Sequence, residues 1–279
     1  MQGLLVIAIL LAFLFSPNIY QKNRVFCVII WLRSYCKYLK KQAWTMKTEL
    51  LYQYKSKIIE SDQLEIHPRL ERLVQRHKKL DFKKPFEQNS LKCFELFQKK
   101  LSSLAQSEVI LDMCCGVGES SYYLAKENPQ KLVVGIDKSA SRLNRKNAFK
   151  KKEVDNVLLL RADLYDLWRL FYKYKDDFKI RKQFLLYPNP YPKQKHFKLR
   201  WQASAIFPFI MGIQAPIELR SNWPLYLEEF LFASQFYGYS SKLLVESFEP
   251  ERIVTAFERK YFLSQQKLYR LVVDPPLCP

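Results

Sequence analysis

Several residue patterns that define common functional classes are missing from this sequence. Its six cysteines follow no metal-ligand spacing and two of them are adjacent, so neither a structural metal site nor a disulfide between those neighbours is expected. We expect reduced thiols and a cytoplasmic protein. The cysteines are Cys27, Cys36, Cys93, Cys114, Cys115 and Cys278.

Acidic residues are scarce relative to basic ones. The chain has 27 Asp and Glu against 46 Lys and Arg, which gives a formal net charge of +19 at pH 7. A charge this large predicts a polyanionic partner, either nucleic acid or anionic lipid, and carries no information about the fold. Apolar residues make up 48% of the 279 residues, which is enough for a packed core and excludes wholesale disorder.

The N-terminal apolar run, residues 4–15, is too short to span a membrane. A spanning helix needs roughly 20 residues, and no Lys or Arg precedes the run as in a secretory signal. Three explanations stay open: a weak membrane anchor, an uncleaved signal-like segment, or a start codon assigned too far upstream. We favour a start at Met46, and membrane contact through residues 4–15 is the less favoured alternative. The chain then divides into a hydrophobic extension (1–45), a basic helical arm (46–106) and a domain (107–279), and we expect a monomer.

From residue 107 onward, short apolar runs alternate with helical patterns. This alternation is typical of an α/β fold with a doubly wound, mostly parallel sheet. A helix is predicted after the first strand, with Ser120 or Ser121 as its N-cap, and a basic helix is predicted over residues 139–152. The predicted strands cover residues 109–113, 131–136, 157–160, 184–187, 216–220, 238–246 and 268–273.

Glycines and acids follow the first three predicted strands, at the edge where such sheets bind their ligands. Gly116 and Gly118 would let the backbone approach a ligand closely. Asp137 is placed to accept hydrogen bonds from a ribose diol, and Asp163 to hold an adenine amino group. The Gly-x-Gly-x-x-Gly spacing of dinucleotide sites is missing, because Ser121 stands at its third glycine. The pattern therefore fits S-adenosylmethionine, a nucleoside cofactor without a pyrophosphate.

Residues 187–200 combine a stiff turn with a cluster of cations. Prolines at positions 188, 190 and 192 restrict the backbone and remove hydrogen-bond donors, so the chain leaves the sheet there. A rigid turn at the carboxyl end of a strand, followed by phosphate-binding side chains, suits an enzyme that acts on nucleic acid. The polar side chains that follow the prolines are Lys193, Lys195, His196, Lys198 and Arg200.

This stretch, Tyr-Pro-Asn-Pro-Tyr-Pro-Lys-Gln-Lys-His-Phe-Lys-Leu-Arg, resembles the Phe-Pro-Asp-Pro-Trp-Pro-Lys-x-x-His-x-Lys-Arg-Arg signature of the bacterial tRNA (guanine-N7-)-methyltransferases. Residues 220–226 are similar to that family's Thr-Asp-x-x-x-Tyr segment, residues 255–259 to its Thr-x-Phe-Glu-Arg motif, and residues 111–119 to its cofactor loop. The motifs keep the family's order. The resemblance implies a Rossmann-like, S-adenosylmethionine-dependent class I methyltransferase that modifies N7 of a guanosine in the variable loop of tRNA.

The resemblance also implies roles for individual residues. Asn189 stands at the position of the family's catalytic aspartate, and Glu258 remains as a carboxylate able to read the donor edge of guanine. The implied cofactor contacts are Asp112, Gly116, Gly118, Asp137, Asp163 and Asn189. The implied substrate and RNA contacts are Lys193, Lys195, His196, Lys198, Arg200, Asn222, Thr255 and Glu258.

Four positions depart from the family pattern: Cys114 replaces a glycine, Asn189 and Asn222 replace aspartates, and Leu199 replaces an arginine. N7 of guanine has a lone pair and no proton, so methyl transfer to it needs alignment and charge stabilisation rather than a base. Losing a carboxylate at position 189 would weaken that stabilisation. Two alternatives stay open: an amino-group methyltransferase such as an N6-adenine enzyme, because Asn-Pro-Tyr is similar to the Asn-Pro-Pro-Tyr motif, and an RNA-binding paralogue with weakened catalysis.

Overall fold

The fold is built around one seven-stranded sheet. The structure is a computed structural model, and it describes residues 56–104, 108–144, 154–241 and 245–276. The strands are β1 (Glu108–Met113), β2 (Leu132–Asp137), β3 (Val157–Arg161), β4 (Lys179–Leu186), β5 (Ile217–Ser221), β6 (Glu246–Phe248) and β7 (Leu268–Val273). Their order in the sheet is β3-β2-β1-β4-β5-β7-β6, with β1 to β5 parallel and β7 antiparallel to both β5 and β6. This confirms the predicted α/β class and the mostly parallel sheet.

Helices cover both faces of the sheet. In chain order they are α1 (Leu70–Lys79), α2 (Gln88–Ser103), α3 (Glu119–Glu127), α4 (Ala140–Leu143), α5 (Leu164–Lys173), α6 (Phe207–Gly212), α7 (Pro224–Gln235) and α8 (Ala256–Leu263). Two short 3-10 helices, Gln194–Leu199 and Trp201–Ala203, lie between β4 and α6. Side chains of α1, α2, α5, α6 and α7 share the larger core, whereas those of α3 belong to a smaller one.

Alternate residues of the central strands enter the two cores. In β1, Val109 and Leu111 belong to the larger core and Ile110 to the smaller one. Successive side chains of a strand point to opposite faces, and parallel strands are covered on both, so they are apolar throughout. Helices α1 and α2, which lie in the predicted basic arm, contribute Val74 and Phe97 to the same larger core. The functional division of the chain at residues 45 and 106 stays a prediction.

The strand order places a crevice above β1 and β4. From β1 the chain moves outward to β2 and β3, then returns to the other side of β1 with β4 and continues to β5. The connections therefore diverge at the carboxyl ends of β1 and β4, which is where ligands bind in open α/β sheets.

The structure corrects one predicted strand. Residues 238–241 do not form a strand, because Gly238 adopts a left-handed conformation with φ of +77° and Ser240 makes only an isolated bridge to Asp274, and residues 242–244 lie outside the described residues. The sixth strand instead begins at Glu246. The extension 1–45, the start at Met46 and residues 145–152 of the predicted basic helix lie outside the described residues. No helix within the described ranges is long and apolar enough to cross a membrane.

Candidate active site

The main cavity lies beyond the carboxyl ends of the parallel strands and has a volume of about 430 Å³. Asp137 at the end of β2 and Asp163 after β3 line it, together with Asn189 from the turn after β4. Carboxylates near aromatic rings suit a ligand that combines a sugar with a flat base. The aromatic residues in its wall are Tyr165, Tyr187, Tyr191, Trp201, Phe257 and Tyr261.

Asp137 joins the end of β2 to the loop that follows β1. Its Oδ2 accepts a hydrogen bond from the backbone N–H of Gly116 at 3.0 Å, and its Oδ1 accepts one from the backbone N–H of Ser139 at 2.8 Å. Arg142 Nη1 lies 3.4 Å from Oδ2. Because each carboxylate oxygen can accept more than one hydrogen bond, Asp137 can still bind hydroxyl donors from the cavity.

Asp163 both lines the cavity and begins α5. Its Oδ1 accepts a hydrogen bond from the backbone N–H of Tyr165 at 2.8 Å, which is an N-cap interaction. The cap fixes the carboxylate at the end of β3, where the sequence places an adenine contact. The same residue also lines a third, mainly polar cavity of about 420 Å³ that Lys138 and Arg161 border.

The loop after β1 is built from left-handed residues. Cys114, Gly116 and Gly118 have φ angles of +66°, +62° and +84°. A Cβ at Gly118 would lie 2.7 Å from the side chain of Leu159, whereas one at Gly116 would meet no atom within 4 Å. The loop thus presents bare backbone to a second cavity of about 150 Å³, which shares Cys114, Arg142 and Phe257 with the main cavity.

Asp112 is buried directly beneath this loop. Its Oδ2 accepts hydrogen bonds from the hydroxyls of Ser120 and Ser121, both at 2.6 Å. The predicted N-cap at these serines is therefore wrong, since their hydroxyls serve Asp112 and Gly118 occupies the cap position. Oδ1 of Asp112 is buried without a hydrogen-bond partner among the described residues. Burial raises the pKa of Asp112 to about 6.

The turn after β4 holds two tyrosines in a conformation that is rare for residues with a side chain. Tyr187 and Tyr191 have φ angles of +55° and +47°. Between them, Oδ1 of Asn189 accepts a hydrogen bond from the backbone N–H of Tyr191 at 3.3 Å. Asn189 is exposed at the cavity wall. The turn therefore places an amide in the wall of the main cavity.

The basic stretch that follows continues from the cavity onto the surface. Lys193, Lys195 and Lys198 are exposed, and His196 is half-buried with its ring edge-on to Tyr191 at 6.2 Å. Three exposed cations beside a cavity can neutralise phosphates of a bound nucleic acid.

A comparison with known families decides the class of this protein. The family model described as "Putative methyltransferase" matches residues 106–271, more than half of the chain. The chain belongs to this methyltransferase family.

Curated relatives are similar to this chain at low identity. The tRNA (guanine-N(7)-)-methyltransferase of Aquifex aeolicus is 28% identical over 57% of this chain and 53% of its own length. That of Thermotoga maritima is 25% identical over 64% of this chain and 55% of its own length, and that of Pediococcus pentosaceus is 24% identical over 60% and 81%. The chain thus spans about half the length of the first two relatives. A solved structure, "Crystal Structure of 16S rRNA Methyltranferase KamB", is 16% identical with a TM-score of 0.47, covering 69% of this chain and 96% of that one.

Glu258 is not among the residues that line either cavity. It is fully buried, and Oε1 accepts hydrogen bonds from Tyr187 Oη at 3.0 Å and Arg220 Nη1 at 2.8 Å. Oε2 accepts one from the backbone N–H of Val254 at 2.7 Å. Burial and this carboxylate raise the pKa of Tyr187, which keeps its hydroxyl protonated and donating. The predicted catalytic and base-reading role of Glu258 is therefore not supported; it anchors the turn after β4.

Two further substrate contacts predicted from the resemblance have local partners. Thr255 is the N-cap of α8, where its Oγ1 accepts from the backbone N–H of Glu258 at 2.9 Å, and it lines the smaller cavity. Asn222 donates from Nδ2 to Gln266 Oε1 at 2.7 Å and lies outside the walls of both cavities. Thr255 can therefore contact a ligand in the smaller cavity, whereas Asn222 faces neither of the two cavities.

Arg200 is a buried structural residue, so its predicted contact with RNA is wrong. Its side chain is 0% exposed and Nη1 pairs with Glu229 Oε2 at 2.7 Å. Its Nε and Nη2 donate to the carbonyl oxygen of Tyr191 at 3.2 and 3.0 Å. Glu229 also accepts from Gln63 Nε2, Gln202 Nε2 and the backbone N–H of His67. The last cation of the signature therefore holds the turn in shape.

Sequence reasoning missed the segment 56–67, which contacts the site from outside the matched region. Ser56 donates from its backbone N–H to Ser264 Oγ at 3.0 Å, and Ser61 donates to the carbonyl oxygen of Pro192 at 2.8 Å. The ring of His67 stacks on Phe197 at 3.8 Å. No periodicity marks this extended stretch, so no signal in the sequence identifies it.

Sequence reasoning also missed Arg142 and most of the aromatic wall. Arg142 follows Asp137 by five residues and lines both cavities. Its position just beyond an acid that ends a strand is a signal that could have identified it. Tyr165, Trp201 and Phe257 come from three separate elements, so only the fold reveals that they meet.

Proposed function

We propose that this chain is an S-adenosylmethionine-dependent tRNA methyltransferase that transfers a methyl group to N7 of a guanosine in the variable loop. The observation that carries the proposal is one cavity whose wall contains the acids at the ends of β2 and β3 and also the turn that continues into exposed lysines. Family membership and the names of the curated relatives support the same activity. We propose the cytoplasm as its location.

The residues present fit the adenosyl half of the cofactor. Asp137 would accept from the ribose hydroxyls, and Asp163 would accept from the adenine amino group. Gly116 lines the smaller cavity with bare backbone, and Asp112, four residues earlier, keeps a buried oxygen without a hydrogen-bond partner among the described residues, an acceptor suited to an ammonium group. The bound cofactor would supply an electrophilic methyl group.

The substrate side of the cavity would act by alignment. N7 carries no proton, so the protein needs no general base; it must orient the purine and stabilise the positive charge that develops on it. The aromatic wall would hold the base flat, and the exposed Lys193, Lys195 and Lys198 would bind the RNA backbone. Asn189 would contact the base through its amide.

An amino-group methyltransferase is a second candidate that one observation favours. Glu258 is enclosed and Asn222 lies outside the cavity wall, so neither is placed to accept from the N1–H and N2–H of guanine. Asn189 instead presents an amide, which can hold an exocyclic amine through its oxygen. Adenine N6 or another amino group is the corresponding target.

Nucleoside mass spectrometry separates these functions. Purified protein is incubated with S-adenosylmethionine and tRNA from a strain that lacks the corresponding gene, and the tRNA is then digested to nucleosides. We expect 7-methylguanosine. N6-methyladenosine or another amino-methylated nucleoside would instead establish the second candidate. Binding of S-adenosylhomocysteine and tRNA without any methylated product would indicate a paralogue with weakened catalysis.

A further inference from the structure

Arg142 is the one cation in the wall of the smaller cavity, as far as the described residues go. It also lines the main cavity, so its side chain stands where the two spaces share a wall. The carboxylate that lines the smaller cavity, Glu119, forms an ion pair with Arg259. The smaller cavity therefore carries the positive charge of Arg142 next to a neutralised acid.

The contacts of Arg142 leave most of its donors available to a ligand. Its ion pair with Asp137 uses Nη1 at 3.4 Å, a long distance, and its side chain is 48% exposed. The guanidinium also lies 5.8 Å from the centre of the Phe257 ring. An arginine presents five N–H donors in a planar fork, and a carboxylate can accept two of them at once. The site is thus built to receive a carboxylate.

We propose that Arg142 binds the α-carboxylate of the methionine half of the methyl donor. This inference rests on the proposed function, in which Asp137 and Asp163 bind the adenosine half in the main cavity. The methionine half then extends into the smaller cavity, past the bare backbone of Gly116. Arg142 recognises the amino-acid end of the cofactor, the part that distinguishes it from other adenosine derivatives.

The alternative is that Arg142 serves only as the charge partner of Asp137. In that case its loss would disturb the ribose contact, and every ligand with a ribose would bind more weakly. The two roles therefore predict different ligand dependences. S-adenosylhomocysteine and 5′-methylthioadenosine share adenine, ribose and a neutral sulfur, but only the first has the carboxylate and the ammonium.

Isothermal titration calorimetry with these two compounds tests the inference on the full chain. Arg142→Met should weaken S-adenosylhomocysteine binding by about 10- to 30-fold, as expected for a charge-assisted hydrogen bond, and change the affinity for 5′-methylthioadenosine by less than about twofold. Arg142→Lys should recover part of the loss. Lys138→Met is the matched control, because Lys138 lines the main cavity and not the smaller one, and it should not discriminate between the ligands.

Equal weakening of both compounds in Arg142→Met would overturn the inference in favour of an action through Asp137. Unchanged affinity for both would also overturn it. Circular-dichroism melting of each variant checks that the fold is kept. If the native chain binds neither compound, the proposed function fails and the inference fails with it. If the native chain binds both, a change of affinity in the variant reports on the role of Arg142 alone.

Discussion

At the scale of single residues, the site contains one residue with an unusual backbone conformation and one carboxyl group in an unusual, fully buried environment. Cys114 adopts a left-handed φ of +66° at a position where the resembled family has a glycine, so the loop keeps a glycine-like conformation without the glycine. Asp112 keeps a carboxylate in a fully buried place, supported by two serine hydroxyls. Cys114 lies in the loop that would face the methyl donor, and Asp112 lies in β1 just before that loop.

Asp112 should make stability depend on pH. Its pKa rises from an ordinary 3.8 to about 6 in the folded chain, so the folded state retains a proton that the unfolded state has lost. The free energy of unfolding should therefore fall as pH rises from about 4 to about 6, by about 3 kcal/mol at most, and stay level above that. Asp112→Asn should lack this fall. The difference in melting temperature between Asp112→Asn and the native chain, followed from pH 4 to pH 7, measures it.

Asp176→Asn is the control for that experiment, because it makes the same chemical change at an exposed position. A melting difference between Asp112→Asn and the native chain that is constant with pH would contradict a protonated Asp112.

Asn189→Asp should raise the rate of guanine-N7 methylation while keeping the fold. The aspartate oxygen can accept from the Tyr191 N–H as the amide does now, and its charge would stabilise the developing positive charge on the purine. We expect an increase of about tenfold or more. Initial rates with tRNA and saturating methyl donor measure it. An unchanged or lower rate would show that charge at this position does not limit the reaction.

At the scale of elements, the sequence predicts the interior of the sheet better than its edge and its loops. β1, β2, β3, β5 and β7 are recognisable as short apolar runs, and the predicted residues 268–273 match β7. β4 begins at Lys179, five residues before its apolar part. The sequence did not indicate this start, because the first half of the strand contains several charged residues. The antiparallel insertion of β7 between β5 and β6 depends on contacts far apart in sequence, which no local pattern encodes.

The same limit applies to the basic stretch. A cluster of cations suggests exposure for all of them, yet Arg200 is buried against Glu229, which lies 29 residues away. Only the fold brings α7 beneath the turn. The acids at the strand ends, by contrast, were predictable because a parallel sheet places consecutive carboxyl ends along one edge.

Arg200→Met should destabilise the fold rather than weaken RNA binding selectively. Removing one partner of a buried ion pair leaves Glu229 charged and buried, which costs about 3–5 kcal/mol. Lys195→Met, an exposed change in the same stretch, should alter the free energy of unfolding by less than about 0.5 kcal/mol. Urea unfolding at one pH measures both. A stable Arg200→Met variant with reduced tRNA affinity would restore the RNA contact that the sequence suggested.

At the scale of the whole molecule, charge and shape act together. A net charge of +19 attracts any polyanion, but specificity requires that the nucleic acid be positioned over one cavity. The exposed lysines beside the turn after β4 can provide that positioning, since they extend from the cavity wall. Attraction of a nucleic acid by the net charge should therefore depend on salt and on the total charge alone, whereas its positioning over the cavity should depend on these particular lysines.

Lys195→Ala combined with Lys198→Ala should weaken tRNA binding and reduce its salt dependence. Losing two phosphate contacts should lower the slope of log affinity against log salt by about 1.5. Affinity for S-adenosylhomocysteine should not change. Fluorescence anisotropy over a salt series measures the slope, and Lys99→Ala with Lys100→Ala, on α2, is the charge-matched control. An equal slope change in the control would mean that net charge alone sets the affinity.

The segment 56–67 limits how far the chain can be shortened without disturbing the site. It bridges Ser264 near the end of the chain, Pro192 in the middle and Glu229 beneath the turn, yet it precedes the matched region 106–271. A protein shortened to that region would lose this segment together with α1, α2 and the last two residues of β7. Its turn after β4 should then exchange amide hydrogens faster than in the native chain, which would show that a segment outside the matched region supports the site.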